Sequence, residues 1–358
     1  MNISNTTFKP HLRHIVLFVL LAIVTTFKVA PGLGDVYTFG IYPAIGKCLS
    51  SVSCLMPFAL GDVFITMSIL WVVVYPIYSI GYKKRGKKKT FCRVAEYLMW
   101  VYVWFYAAWG LNYSQSNIYR RIGINRVEVS AEDFLHFANE YADSLNATYA
   151  KTTPTDITQR SWQSTLHGYS SMKGMGINLP LNTHAHAKTM LFSRLSSMAG
   201  VTGSMAPFFC EFTLNAYIRP HQYPAIYAHE YAHQLGIANE GEANFYSYIV
   251  CTSSTDKAVR FSGYYHILPH VLGNAYELLG EKEYKAYIKR IDPRVISLAK
   301  SDREYWLSLH NQIIDKTQNF FYNIYLKGNK VEGGMKSYSG VIGIVMAWEK
   351  HNKEVSEG

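Results

Sequence analysis

Long apolar runs occur in the first third of the chain and nowhere after it. Residues 63–82 form a run of 20 uncharged residues, about the length that crosses ~30 Å of hydrocarbon at ~1.5 Å per residue. Residues 15–27 form a shorter apolar run, which the aliphatic stem of Lys28 could extend toward the membrane surface. Residues 94–112 combine three Trp with Tyr and Val. This pattern predicts a membrane region of about three transmembrane helices over residues 1–112.

The distribution of charged residues predicts how this region is oriented in the membrane. Residues 83–89 contain six Lys or Arg, whereas the connection 31–62 contains one Lys and two Asp. The positive-inside rule places the basic segment in the cytoplasm, so the chain after about residue 112 emerges on the outer side. A cleaved signal peptide is the alternative for the first apolar run, but no Ala-x-Ala-like cleavage pattern follows it.

The net charge of +10 does not indicate nucleic-acid binding. Residues 1–112 hold 11 Lys and Arg against 3 acids, and residues 113–358 hold 24 against 22. The excess therefore lies beside the apolar runs, where membrane topology explains it, and no nucleic-acid motif accompanies it. The five Cys have no metal-ligand spacing.

After residue 112 the pattern is that of a globular domain. Helical spacing of apolar residues predicts helices at 131–148, 157–173, 187–198, 222–236 and 242–253 and from 261 onward. Residues 208–214, which follow Gly200, Gly203 and Pro207, are predicted to form a short strand. The expected fold class is mainly α: transmembrane helices over 1–112, then a helix-rich α+β domain over 113–358.

One motif in this domain carries chemistry. His229-Glu230-Tyr231-Ala232-His233 places two His at i and i+4 on one helix face, where both imidazoles can bind a single cation. Glu230 follows the first His and is placed to act as general base on a metal-bound water. Two imidazoles and a carboxylate suit Zn²⁺, so the motif predicts a zinc site held by His229 and His233.

A catalytic zinc needs a third protein ligand. Asn239 stands where a metzincin has its third His, which disfavours that family. Glu240 and Glu242 remain as alternatives. We favour Glu242, because it opens a helical pattern in which Phe245, Tyr246 and Ile249 share one face. Glu240 is then expected in the turn, as a cap or in solvent.

These residues resemble a known clan. HExxH followed by Glu-Gly-Glu-Ala-Asn-Phe over residues 229–245 is similar to the gluzincin clan of zinc metallopeptidases, in which a Glu on a following helix completes the site. The apolar N-terminus, Gly203-x-x-x-Pro207 and a strand with Glu211 are similar to a family of bacterial membrane-anchored proteins of unknown function. The likeness implies a zincin-like catalytic domain and a bacterial inner membrane protein with an extracytoplasmic C-terminal domain.

The expected function is that of a membrane-anchored zinc peptidase acting on a peptide or protein substrate. Glu230 takes the proton of a zinc-bound water, which attacks the peptide carbonyl. Zincins present an edge strand to the substrate, and residues 208–214 are the candidate. An oxyanion-stabilising group is also required, and the sequence does not choose among Tyr264, Tyr265, His266, His270 and His310. The alternative is a catalytically inactive binding or regulatory module with the same fold.

Overall fold

The fold is helical apart from one small sheet. The computed structural model describes residues 12–152, 155–329 and 340–357. Its helices and strands run in the order α1 (Leu12–Val29), α2 (Leu33–Val36), α3 (Tyr42–Ser53), α4 (Leu60–Pro76), α5 (Lys87–Ala108), α6 (Ile118–Ile122), α7 (Ala131–Thr148), α8 (Ile157–Ser170), β1 (Lys188–Thr189), α9 (Ser193–Met198), β2 (Gly203–Ala206), β3 (Glu211–Leu214), α10 (Tyr223–Gln234), α11 (Glu240–Thr252), α12 (Lys257–Leu278), α13 (Glu281–Arg290), α14 (Pro293–Leu309), α15 (Gln312–Gly328) and α16 (Val341–Glu357). Two π-helical segments, Tyr37–Ile41 and Ile77–Tyr82, precede α3 and extend α4, and a 3₁₀ turn, Gly110–Ser114, follows α5. The predicted mainly α class is confirmed.

Among the described residues, two helices are long and apolar enough to cross a membrane. They are Leu12–Val29 and the continuous helix Leu60–Tyr82, which correspond to the first two predicted spans. The third predicted span, 94–112, falls largely within α5, which does not meet the same requirement. Its Tyr and Trp residues and the charged Arg93 and Glu96 lower its hydropathy. Instead, α5 packs against both apolar helices.

The helix with the clearest local signals has the predicted bounds. Residues 131–148 were predicted as a helix, and α7 covers Ala131–Thr148. The side chain of Ser130 accepts a hydrogen bond from the Asp133 backbone N–H and so satisfies one of the free donors of the first turn. Phe134, Phe137 and Tyr141 then lie on the buried face of the helix. By contrast, the predicted helix 187–198 is a two-residue strand followed by the short helix α9.

The sheet has three strands in the order β1-β3-β2. β3 pairs in parallel with β1 and antiparallel with β2. The prediction that residues 208–214 form an edge strand is therefore wrong in two ways. The strand begins only at Glu211, because Cys210 has a φ of +48° and ends a turn there. β3 is also the central strand, so its backbone groups pair on both sides, and β2 lies at the edge of the sheet.

The sheet is joined to the start of α4 through Glu211, which also forms a buried ion pair within the sheet. Glu211 accepts hydrogen bonds from Lys188 Nζ (2.6 Å) and from the backbone N–H of Gly61 (2.7 Å). Asp62, one residue further along α4, accepts from the Leu191 backbone N–H at 2.8 Å. A carboxylate at a helix N-terminus stabilises the helix through its free N–H groups and its dipole. The first turn of this apolar helix is thus fixed to the sheet.

The main core surrounds α10. Its buried apolar residues come from α7, α8, α10, α11, α12 and β3, with Phe212, Tyr231 and Phe245 among those that are fully covered. A second buried cluster combines the N-terminal third of the chain with later residues, for example Tyr42 and Trp109 with Cys210 and Ala238. Residues on both sides of position 112 therefore pack together beside α10.

Candidate metal centre and active site

The helix α10 carries the HExxH motif on a buried stretch. Pro224 occupies its first turn, where the missing N–H costs nothing. His229 and His233 are one turn apart, and their Nε2 atoms lie 3.1 Å from each other. Both side chains are nearly covered. The helix brings the two imidazoles together, as their i, i+4 spacing predicted.

The end of α10 sets the orientation of His233. Gly236 has a φ of +98°, a left-handed conformation that glycine adopts without strain. The Ile237 N–H then bonds to the Ala232 carbonyl and the Gly236 N–H to the His233 carbonyl, which is the Schellman arrangement of a helix C-terminus. This reversal brings the Ile237 carbonyl to 2.6 Å from His233 Nδ1. Nδ1 therefore carries the proton, which leaves Nε2 as the nitrogen that could bind a metal ion.

Glu240 is the acidic residue that joins the two imidazoles. Its Oε2 lies 3.1 Å from His229 Nε2 and 3.4 Å from His233 Nε2. Its other oxygen accepts a hydrogen bond from the Tyr322 hydroxyl on α15 at 2.7 Å. Among the described residues, His229, His233 and Glu240 form the group whose donor atoms converge closely enough for one metal ion.

Glu242, the expected third ligand, points elsewhere. Its carboxylate accepts from Arg121 at 2.6 Å and from the Ile118 backbone N–H at 2.9 Å, in a buried ion pair. The reason is the direction in which each residue of α11 points from the helix axis. The helix α11 begins at Glu240 and not at 242, and two residues on a helix lie about 200° apart around its axis. We therefore correct the expected ligand from Glu242 to Glu240.

The sequence contained a signal that α11 begins at Glu240. The Asn239 side chain caps α11 by accepting from the Glu242 backbone N–H at 3.0 Å. Asn followed three residues later by Glu is the spacing of a capping box, which marks Asn239 as the residue before the helix. Read that way, Glu240 is the first helical residue and lies on the face opposite Glu242.

The donor set suits a tetrahedral divalent cation. Bonds of about 2.0–2.1 Å to nitrogen or oxygen place two ligand atoms about 3.3–3.5 Å apart around a tetrahedral zinc. The three donor separations are 3.1, 3.1 and 3.4 Å. Two imidazoles and one carboxylate are the composition of catalytic zinc sites that keep a fourth position for water. The outer contacts from Ile237 and Tyr322 hold two of the ligands from behind, as is usual for such sites.

The charges of the site favour a cation. Burial acts to lower the pKa of His233, but the charges of Glu240 and Glu230 and the hydrogen bonds to Glu240 and Ile237 together raise the pKa to about 9. Burial acts to raise the pKa of Glu240, and the two histidines outweigh that and hold it well below its ordinary value. The carboxylate is therefore ionised and holds a proton on the His pair. Metal binding would displace that proton, so acid would weaken the binding.

Glu230 is buried beside this group with one oxygen free. Among the described residues, its Oε2 is a buried polar atom with no hydrogen-bond partner. Burial raises the pKa of Glu230, while the neighbouring histidines act in the opposite direction. Gly203 of β2 lies so close that a methyl group there would be 2.3 Å from Oε1. Glu230 is thus a confined, unsatisfied carboxylate with a raised pKa, which are the properties of a general base.

A cavity of about 890 Å³ opens onto these residues. Its walls include the edge strand β2, the two histidines of α10 and a group from α12 and α15. Of the five residues considered for oxyanion stabilisation, His266 and His270 lie in this wall, whereas Tyr264, Tyr265 and His310 do not. Burial lowers the pKa of His266 to about 3 and also lowers that of His270, so both rings are neutral at ordinary pH.

The N-terminal third of the chain completes the end of α10. The last carbonyls of a helix have no partner within it. Trp109 Nε1 donates to the His233 carbonyl at 2.8 Å, and the Tyr42 hydroxyl donates to the Gln234 carbonyl at 2.5 Å. Gln115 adds a bond to the Gly236 carbonyl at 2.6 Å. These contacts were not predicted, because nothing in local sequence pattern links residues so far apart.

A family comparison covers the site and the apolar helix α4. Residues 37–346 match a family described as a protein of unknown function (DUF3810). No curated protein and no solved structure matches the chain. The match brings with it no activity, substrate or metal. Any function must therefore be argued from the site.

Proposed function

We propose a function for this chain, which belongs to the DUF3810 family of proteins of unknown function: it is a zinc-dependent peptidase anchored in a membrane. The observation that carries the proposal is the convergence of His229, His233 and Glu240 beside the confined carboxylate of Glu230. A purely structural role for the His pair would not account for a buried base with a free oxygen at the wall of a large cavity.

The residues divide the chemistry among them. His229, His233 and Glu240 would hold the zinc, which when bound supplies a polarised water of lowered pKa. Glu230 is placed to accept a proton from water as the water oxygen attacks the peptide carbonyl carbon, so it would act as the general base. Glu230 then passes the proton to the nitrogen as the C–N bond breaks. His270, which also lines the cavity, would offer a neutral imidazole N–H to the carbonyl oxygen.

An extended peptide has a place to pair beside the base. β2 lies at the edge of the sheet and lines the cavity through Gly203, Ser204 and Met205. A substrate strand that adds to this edge gains backbone hydrogen bonds without any requirement for its sequence. A zinc helix beside an edge strand, followed by a helix that supplies a Glu, is also the arrangement implied by the gluzincin resemblance. We therefore assign the zincin-like role to this part of the fold.

The membrane anchorage rests on the two apolar helices and on charge. The basic segment 83–89 follows the C-terminal end of Leu60–Tyr82, and the sheet is attached at its other end. The positive-inside rule then puts the basic segment in the cytoplasm and the zinc site on the outer side of the membrane. We propose that the protein is an inner membrane protein whose site faces outward.

Zinc content and hydrolysis test the proposal. The full-length protein is purified in lipid nanodiscs, because residues before 112 complete α10, and its zinc is measured by elemental analysis. We expect near-stoichiometric zinc that is lost in His233→Ala. Glu230→Gln should keep the zinc and lose hydrolysis of a mixed peptide library by about 100-fold or more.

The other outcomes separate the alternatives. Absence of zinc from folded wild-type protein after incubation with the metal would reject the proposal. Zinc without hydrolysis of any peptide would favour a binding or regulatory module that uses the same fold. Hydrolysis that persists in Glu230→Gln would show that another group is the base.

A further inference from the structure

The cavity at the zinc site is walled partly by the apolar N-terminal helices. Ile65 of α4 and Phe105 and Trp109 at the end of α5 line the same space as His229 and Glu230. We infer that the substrate is a membrane-inserted polypeptide, cleaved within about five residues of the point where it leaves the bilayer. This inference rests on the proposed peptidase function and names its substrate class.

The length of the apolar helix sets the depth of the site. Leu60–Tyr82 has 23 residues, and about 20 are needed to cross ~30 Å of hydrocarbon. At most about three residues can therefore lie outside the hydrocarbon at the start of the helix. Ile65 is the sixth residue, so its side chain lies at or just inside the hydrocarbon boundary. The cavity thus opens at that level and not in bulk water.

The exposure of this helix is that of a lipid-facing element. Only 6% of its most apolar 18-residue window is buried within the protein, whereas a core helix of a soluble domain would be mostly covered. Ile65 is 42% exposed even though it lines the cavity. A site for soluble peptides would leave this apolar wall in water at a cost, because exposed apolar patches of this kind favour association with membrane or protein.

The attachment of α4 to the sheet keeps this geometry fixed. Glu211 holds the Gly61 N–H at 2.7 Å, and Asp62 holds the Leu191 N–H at 2.8 Å. Gly61 also approaches the end of β2 closely, since a methyl group on it would lie 2.5 Å from Ala206 Cβ. The apolar helix is therefore part of the site's wall and not a flexible tether.

The edge strand connects the base to the membrane helix. Gly203, at one end of β2, adjoins Glu230, and Ala206, at the other end, adjoins Gly61. Three residue steps along a strand cover about 10 Å. A peptide paired with β2 therefore runs from the zinc site to the hydrocarbon boundary in three or four residues. This spacing gives the limit of about five residues between the cleaved bond and the apolar segment.

A matched pair of polypeptides tests the inference. One carries a randomised eight-residue arm attached to a 20-residue Leu/Ala span and is reconstituted with the full-length protein in nanodiscs. The other is the same randomised arm without the span, added in solution. We expect the membrane-inserted form to be cleaved at least tenfold faster. Mass spectrometry should place its cuts within about five residues of the span. Equal rates, or cuts spread evenly along the arm, would overturn the inference and leave the peptidase proposal standing.

Crosslinking tests the same inference without hydrolysis. In Glu230→Gln, a photoreactive p-benzoylphenylalanine replaces Ile65 and, as a control, Val73, which is 56% exposed on the same helix but lies outside the cavity wall. We expect the span-bearing polypeptide to crosslink from position 65 more strongly than from position 73. Crosslinking to lipid alone at both positions would reject the inference. Selective crosslinking at 65, combined with no cleavage by the zinc-loaded wild type, would support the substrate class and reject the hydrolytic proposal alone.

Discussion

The choice between Glu240 and Glu242 gives the sharpest test of the site. The matched changes are Glu240→Gln and Glu242→Gln, two residues apart on α11. Glu240 is within 3.1 and 3.4 Å of the two imidazole Nε2 atoms, whereas Glu242 bonds to Arg121 at 2.6 Å. The first change removes the charge of the proposed third metal ligand. The second removes the partner of a buried cation and leaves the metal donors in place.

The two variants should change different properties of the protein. Glu240→Gln should lower its zinc affinity, and Glu242→Gln should lower the stability of its fold. Glu240→Gln should lower zinc affinity by more than the 10–100-fold that an altered outer contact costs. Glu242→Gln should keep the zinc but destabilise the fold by about 3–5 kcal/mol, because Arg121 remains buried without its counter-charge. The side chains of Arg121 and Glu242 are only 3% and 7% exposed, so solvent cannot replace the lost interaction.

Chelator competition measures the first quantity, and thermal unfolding of the metal-free protein measures the second. Both are made on full-length protein in the same nanodiscs. Zinc retained in Glu240→Gln and lost in a folded Glu242→Gln would refute the reasoning. It would mean that α11 presents its other face to the histidines and that the phase argued from the Asn239 cap is wrong.

Three further changes test the base, the outer contacts and the electrostatics of the fold. Gly203→Ala puts a methyl group 2.3 Å from Oε1 of Glu230. It should lower hydrolysis by about 100-fold through misplacement of the base, with zinc content unchanged. Tyr322→Phe removes the hydrogen bond to Glu240 and should weaken zinc binding by about 10–100-fold in chelator competition. Burial raises the pKa of Glu349 from 4.5 to about 7. As the pH rises, Glu349 therefore loses its proton in the unfolded chain before it does so in the folded protein. The free energy of unfolding of the wild type should then fall as the pH rises from 4.5 to about 7. Metal-free Glu349→Gln should therefore be more stable than the wild type by about 3 kcal/mol at about pH 8, and equally stable at about pH 4, in thermal unfolding.

Matched substitutions supply controls for these changes. Gly273→Ala makes the same change as Gly203→Ala at a glycine of α12 where nothing lies within 4 Å of the added methyl group, and it should leave hydrolysis unchanged. Glu354→Gln removes an exposed carboxylate on the same helix as Glu349 and serves as the matched control for the change of charge. Loss of zinc would contradict the argument for Gly203→Ala, and an unchanged zinc affinity would contradict the argument for Tyr322→Phe. A pH dependence of stability that parallels the wild type would contradict the argument for Glu349→Gln.

Local signals explain what the sequence predicted well. The helix over 131–148 has the predicted bounds because Ser130 caps it and its apolar residues recur at helical spacing. The pairing of His229 with His233 needs nothing beyond one helical turn. Both predictions depend on residues less than about twenty positions apart, where the periodicity of the backbone decides which side chains meet.

The wrong predictions arose where a local sequence pattern was used to infer which residues meet across the fold. A shift of two residues in the start of α11 exchanged Glu240 for Glu242, because each residue turns the helix by about 100°. A strand pattern likewise says nothing about which neighbours a strand has. Residues 208–214 were predicted as a strand, but only Glu211–Leu214 form one, and its central place follows from pairing with β1 and β2 on either side.

The N-terminal region is best understood as part of the site. Composition separates residues 1–112 from the rest, and that contrast suggests an anchor that merely holds an independent domain. Yet Trp109 and Tyr42 satisfy the last carbonyls of the helix that carries His233, and Ile65 forms a wall of the cavity. An anchor needs neither contact. The proposed peptidase, which would meet its substrate at the hydrocarbon boundary, would need both, because the helix that carries His229 and His233 would have to be held at a fixed depth.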